Sequence, residues 1–63
     1  MIRVVRDGAL YDATQLQGPL LVNTAAGELC LEAGIWLLLP VAGGWPIGAT
    51  DNEVAAMTVI KED

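Results

Sequence analysis

Apolar runs broken by glycine turns constrain the fold of this chain most strongly. The stretch from Leu20 to Pro46 carries three apolar runs, and glycines separate each run from the next. Glycine and proline interrupt helices, so no helical window of useful length remains. We therefore predict strands joined by tight turns. This stretch is predicted to form a β-meander, with both flanks added to it as edge strands.

The flanks contain weaker strand patterns. Ile2 to Arg6 is rich in β-branched residues and precedes Asp7-Gly8, a strong hairpin-turn signal. Imperfect alternation predicts two more strands, over Ala9 to Leu16 and Ala56 to Ile60. Lys61 to Asp63 is interpreted as a solvated tail.

The most apolar run, Ile35 to Leu39, is predicted to be the central strand and is a candidate for burial on both faces. Thr50 or Asp51 is positioned to cap a single helical turn. The predicted fold is all-β, as one domain of residues 1–63. It is either a small β-meander barrel or a strongly bent antiparallel sheet of five or six strands with one short helical turn.

The chain lacks the usual means of stabilising a small domain. Its 63 residues include one cysteine, Cys30, and no histidine, so neither an intrachain disulfide nor a zinc site is expected. No metal and no cofactor are therefore predicted. Because 54% of the residues are apolar, part of the apolar surface is expected to be covered by another copy of the chain or by a partner protein.

Charge and hydropathy exclude two classes of partner. The formal net charge is −5, with three basic residues against eight acidic ones, so nucleic acid is not an expected partner. Ala33 to Thr50 contains no charge, but Pro40, Pro46 and several glycines interrupt it, which argues against a membrane span. A lone thiol and the lack of a signal-peptide pattern favour the cytoplasm.

Catalysis is not expected. The chain contains neither serine nor histidine, so the usual nucleophile–base pairs cannot form within it. Asp51 and Glu53 lie two residues apart on the predicted turn, where they do not face each other, so capping and solvation are their expected roles. Cys30 alternates with leucines, which predicts a buried or half-buried, unreactive thiol.

The candidate partner-binding residues centre on the tryptophans. Trp45 and Trp36 are the first candidates because tryptophan dominates interface hot spots, although both are also suited to filling the core. Ile47, Asp51 and Glu53 follow Trp45 along the chain and complete the candidate set.

Several short motifs together resemble one family. These are Thr24-Ala25-Ala26-Gly27-Glu28, the run from Glu32 to Leu38, the run from Val41 to Pro46, Thr50-Asp51-Asn52 and Ala56-Met57-Thr58. The pattern is similar to that of small phage and prophage proteins with a Pro-Gly-Asp-Tyr-Gly type motif. Ala33 and Ile35 stand where that family has proline and aspartate. The resemblance implies a phage origin and a small β fold, not a reaction.

Three functions remain open from the sequence. The first is a phage-encoded interaction module that binds and modulates a host protein, for example a defence complex. The second is a virion or assembly component, in which the apolar surface would build a symmetric array. The third is a small-molecule-binding module with its site at an oligomer interface. A homo-oligomer is expected in addition.

Overall fold

The computed structural model describes residues 2–62, which form seven strands and one short helix in two sheets. The elements are β1 (Ile2–Arg6), β2 (Ala9–Gln15), β3 (Leu20–Thr24), β4 (Gly27–Leu31), β5 (Trp36–Pro40), β6 (Ile47–Ala49), α1 (Asp51–Ala55) and β7 (Thr58–Glu62). One sheet has five strands in the order β6-β5-β2-β1-β7, and β3 and β4 form a separate hairpin. All strand pairs are antiparallel. The predicted all-β bent sheet is confirmed, with seven strands rather than five or six and without closure into a barrel.

The β1–β2 hairpin forms where the sequence predicts it. Asp7 and Gly8 both adopt positive φ, 51° and 79°, as the common two-residue hairpin turn requires. This turn sets a register in which Arg6 pairs with Ala9 and Val4 with Tyr11. β1 and β2 are thereby interior strands of the five-stranded sheet, not edges added to a central meander.

The predicted continuous meander from Leu20 to Pro46 is wrong in one pairing. β3 and β4 do pair with each other, but β5 pairs with β2 rather than with β4. The amide of Gly34 donates to the carbonyl of Leu16, and the amide of Leu16 donates to the carbonyl of Ile35, both at 2.9 Å. These bonds hold the returning chain against the end of β2, so the β3–β4 hairpin leaves the sheet as a separate unit.

The core lies on the face of the five-stranded sheet that α1 covers. Directly paired residues share a face, and this face carries the buried Val4, Ala13, Leu38 and Ala49. Val54 of α1 belongs to the same buried cluster. Leu38 and Val4 have no exposed surface. The core of this small domain therefore consists of a few side chains around β1, β2 and β5.

The opposite face of the sheet, here called the open face, is only partly covered. Leu39 pairs with Asp12 on this face and is 45% exposed, so the expected burial of the Ile35 to Leu39 run on both faces is wrong. Leu31 of the hairpin lies over Gly48 on the same face. A Cβ atom at Gly48 would lie 2.7 Å from Leu31 Cδ2. The hairpin thus bends over the open face through one buried leucine and covers part of it.

The C-terminal elements differ from the prediction by a few residues. Ala56 ends α1, with its amide bonded to Asn52 and Glu53 carbonyls, so the last strand begins at Thr58 rather than Ala56. That strand runs to Glu62, so Lys61 and Glu62 belong to β7 rather than to the predicted tail. Asp63 lies outside the described residues. No helix within residues 2–62 is long and apolar enough to cross a membrane.

Candidate functional site

The β5–β6 connection presents the most exposed aromatic side chain of the described chain. Gly43 and Gly44 adopt φ of 97° and 129°, and the loop then places Trp45 with 57% of its surface exposed. Trp45 borders a groove of about 620 Å³ whose walls include Tyr11, Pro40 and Val41. We call this the Trp45 groove. An exposed tryptophan beside an apolar depression is typical of a protein-contact surface.

Trp36 and Asp51 come together at the other end of β5. The indole Nε1 of half-buried Trp36 donates a hydrogen bond to Asp51 Oδ1, which also accepts one from Gln15 Nε2 at 3.1 Å. Gln15 Nε2 additionally donates to the carbonyl of Gly34 at 3.1 Å. Trp36 also packs against the core cluster. These contacts tie the start of α1 to the sheet and give Trp36 and Asp51 a structural role.

Glu53 completes a capping box with Thr50. The Thr50 amide donates to Glu53 Oε1 at 3.0 Å, and the Glu53 amide donates to Thr50 Oγ1 at 3.2 Å. The Thr50 amide, followed by its hydroxyl, favours the ionised carboxylate and lowers the pKa of Glu53 below its ordinary 4.5. The expected capping role of this acid is present, and Thr50 is the N-cap.

The five predicted partner-binding residues do not share one surface. Trp45 lies beside Tyr11 and Pro40, which pair at one end of the β2–β5 ladder, whereas Trp36 pairs with Gln15 at the other end. Four residues of strand separate these ends, about 14 Å at the rise of a β-strand. Ile47 is half-buried and packs against the core from β6. Asp51 and Glu53 lie on α1, on the Trp36 side. Their roles in binding remain predictions.

The structure reveals a second depression that the sequence does not indicate. It measures about 280 Å³ and lies between β4 of the hairpin and the β6–α1 segment. The residues that line it are Leu29, Cys30, Leu31, Glu32, Ile35, Gly48, Ala49, Thr50 and Glu53. We call it the β4 cleft. The clean alternation of Glu28 to Leu31 signals a strand, but the proximity of Leu31 to Gly48 depends on a tertiary contact that no local pattern encodes.

The prediction that the Cys30 thiol is buried or half-buried is wrong. Its side chain is exposed, because β4 belongs to a two-stranded hairpin whose face carrying Leu21 and Cys30 is not packed against the main sheet. Among residues 2–62, no three histidine, cysteine, aspartate or glutamate side chains are grouped to hold a metal ion.

Comparison with known proteins places the chain in no group. No protein-family model, no curated protein and no solved structure matches it. The resemblance to the small phage proteins therefore stays a prediction from the motifs.

Proposed function

We propose that the chain is a small protein–protein interaction module that binds a host protein through the Trp45 groove and modulates it. The observation that carries the proposal is the exposure of Trp45, 57%, beside an apolar groove in a chain of 63 residues. Tryptophan is the residue most enriched in interface hot spots, and its truncation there typically removes about 2 kcal/mol or more of binding free energy.

Two further features support this proposal. Val41 lies at the same groove and is 43% exposed, which extends the apolar surface beyond the indole. The groove walls come from the β1–β2 turn with the start of β2, and from the end of β5 with the β5–β6 loop; β2 and β5 are adjacent strands of one sheet. A surface on a rigid support requires little ordering when it binds, and this favours affinity.

The setting proposed for this activity is a bacterial cytoplasm, with the protein encoded by a phage. The motif resemblance supports the phage origin, and the lone thiol supports a reducing compartment. A host defence complex is one kind of target that an interaction module of this size would serve.

The test compares capture of host proteins by matched variants. The bait is the tagged chain in a lysate of the bacterial host, and captured proteins are quantified by mass spectrometry. Trp45→Ala is expected to lower capture of the specific partner at least about 30-fold, which corresponds to a loss of about 2 kcal/mol. Ile60→Ala is the control, because Ile60 on β7 is 56% exposed and does not line the groove.

The outcomes separate the competing functions. Equal capture by the wild type and by Trp45→Ala contradicts the proposed surface. Recovery of further copies of this chain alone, in ordered arrays visible by electron microscopy, supports an assembly component instead. The chain and the partner protein that it captures are then purified and titrated in a calorimeter, to establish direct binding and its stoichiometry.

A further inference from the structure

The described sheets have four unpaired strand edges, and they are not equally protected. Natural proteins protect such edges with short strands, bulges, prolines or lysines. β6 is only three residues long, and β7 has a register shift opposite Arg3 and Val4. β3 directly follows Pro19. β4 pairs with β3 alone, in a regular register over five residues without proline or lysine. The outer edge of β4 has none of these protections, and β3 has only the proline that precedes it.

The free edge of β4 faces an apolar depression. Leu29, Leu31 and Ile35 line the β4 cleft together with Gly48, and Leu29 is 47% exposed. Side chains of a strand alternate between its two faces, so a strand added beside β4 would place every second side chain on the Leu29 and Leu31 side. The cleft offers about 280 Å³ for those side chains. Unpaired backbone groups of β4 therefore lie beside an apolar recess, as binding by strand addition requires.

The charges around the β4 cleft indicate what kind of chain can bind there. Glu32 and Glu53 line the cleft, and Glu28 is exposed on the adjoining strand. Arg6 partly offsets Glu53, since its charge contributes to the lowered pKa of that carboxyl. Residues 7–60 contain no lysine or arginine, so the acids around the cleft outnumber the nearby cations. A second copy of the chain would bring the same acids to the edge and repel the first, whereas a basic segment would be attracted. Charge complementarity therefore favours a different, positively charged chain.

We propose that the outer edge of β4 binds an extended, lysine- or arginine-containing segment of another protein as an added strand, with alternate apolar side chains in the β4 cleft. The basic side chains of this segment lie beside Glu28, Glu32 and Glu53. This surface is separate from the Trp45 groove and goes beyond the proposed function, because it specifies a second contact with its own mode of recognition.

The test is a titration followed by nuclear magnetic resonance of the ¹⁵N-labelled full chain. The probe is an end-capped peptide of about seven residues in which lysine and valine alternate. Amide shifts are expected within Gly27–Leu31 and at Gly48 and Glu53, with slowed hydrogen exchange at alternate amides of β4. Two matched peptides accompany it. One replaces lysine with glutamate, and the other carries an N-methyl group on every residue, so that it cannot donate backbone hydrogen bonds from either edge.

Both control peptides are expected to bind the wild-type chain at least about tenfold more weakly than the probe does, the effect of losing about 1.4 kcal/mol. A β4 variant of the chain is expected to bind the probe more weakly by the same factor. The variant is Cys30→Lys, which adds a repelling charge at an exposed position on the edge strand. Thr58→Lys makes the same change of net charge at an exposed position on β7 and is expected to bind like the wild type. The amide spectrum of each variant verifies that it is folded.

Several results would overturn the inference. Binding that N-methylation leaves unchanged would show charge attraction without strand addition. Shifts centred on the Trp45 loop, an equal loss with Thr58→Lys, or no binding at millimolar peptide would contradict the β4 edge. Trp45→Ala is expected to leave peptide binding unchanged. If the peptide fails while capture of a host protein still depends on Trp45, only this inference falls and the proposed function stands.

Discussion

Replacing Leu38 with alanine is the sharpest test of where the core lies. Leu38 has no exposed surface and sits at the centre of the cluster that Val4, Ala13 and Val54 complete. Truncating a fully buried leucine typically costs about 2–5 kcal/mol, the sum of lost transfer free energy and a residual cavity. A domain of 63 residues has a total stability of about 3–9 kcal/mol at usual values per residue. Leu38→Ala is thus expected to lose between about a quarter of that stability and all of it.

The neighbouring residue provides a matched control. Leu39 has the same chemistry but is 45% exposed on the open face, where truncation leaves no enclosed cavity. Leu39→Ala is expected to cost less than about 1.5 kcal/mol, roughly half the transfer free energy of a leucine. Val4→Ala, at the other fully buried position, is expected to cost about 2 kcal/mol from its buried methyl groups. It remains measurable if Leu38→Ala does not fold.

The assay is urea unfolding monitored by circular dichroism and tryptophan fluorescence, with free energies from linear extrapolation. Leu38→Asp is expected to abolish soluble folded protein, because it buries an unpaired charge. Equal losses for Leu38→Ala and Leu39→Ala would refute the assignment of the core to the α1 face. So would a soluble, cooperatively folding Leu38→Asp variant.

Three further predictions follow from named contacts. Gly48→Ala is expected to destabilise the fold by about 1–3 kcal/mol, because the added methyl group crowds Leu31. In a double-mutant cycle measured by urea unfolding, Leu31→Ala should remove most of that penalty. Additive losses would mean that the two residues do not touch. Because its folded pKa lies below 4.5, the Glu53 carboxylate contributes stability that is complete above that pH and is lost as the pH falls through the lower folded value. Glu53→Gln should reduce the loss of stability on acidification, measured as unfolding midpoints from about pH 6 to about pH 2. An unchanged pH dependence would contradict the role of the Thr50 contact. Finally, the exposed Trp45 predicts concentration-dependent self-association in sedimentation when no partner is present, and Trp45→Ser should suppress it; a monomer at every concentration would rule the homo-oligomer out.

Local signals in the sequence predict the turns and most strands of this fold. Asp7-Gly8 specifies the β1–β2 hairpin, since both residues tolerate positive φ. Thr50 and Glu53 at a spacing of three residues specify the capping box that starts α1. In each case the information lies within a few residues, and the geometry it requires leaves few alternatives.

Strand pairing beyond adjacent hairpins is not predictable in the same way. β4 and β5 are separated by a short turn that resembles a hairpin connection, yet β5 pairs with β2, and a hydrogen bond between Leu16 and Ile35 continues this ladder. Residue periodicity indicates which face of a strand is apolar, but it does not identify the partner strand. The exposure of Cys30 follows from this pairing, as does the β4 cleft, so neither could be predicted from the sequence.

The departure from a simple meander also explains why so much apolar surface is exposed. The chain has 4147 Å² of accessible surface, slightly more than the roughly 3,900 Å² expected for a folded protein of 6.6 kDa. The hairpin that leaves the sheet adds more exposed area than buried area. Leu31 is its one buried leucine, whereas Leu20, Leu21 and Leu29 on it are each more than 40% exposed. Packing β4 against β5 would have enlarged the sheet and removed the free β4 edge. The same pairing that keeps the core small therefore creates the unpaired edge and the cleft through which we propose that the chain recognises a basic partner.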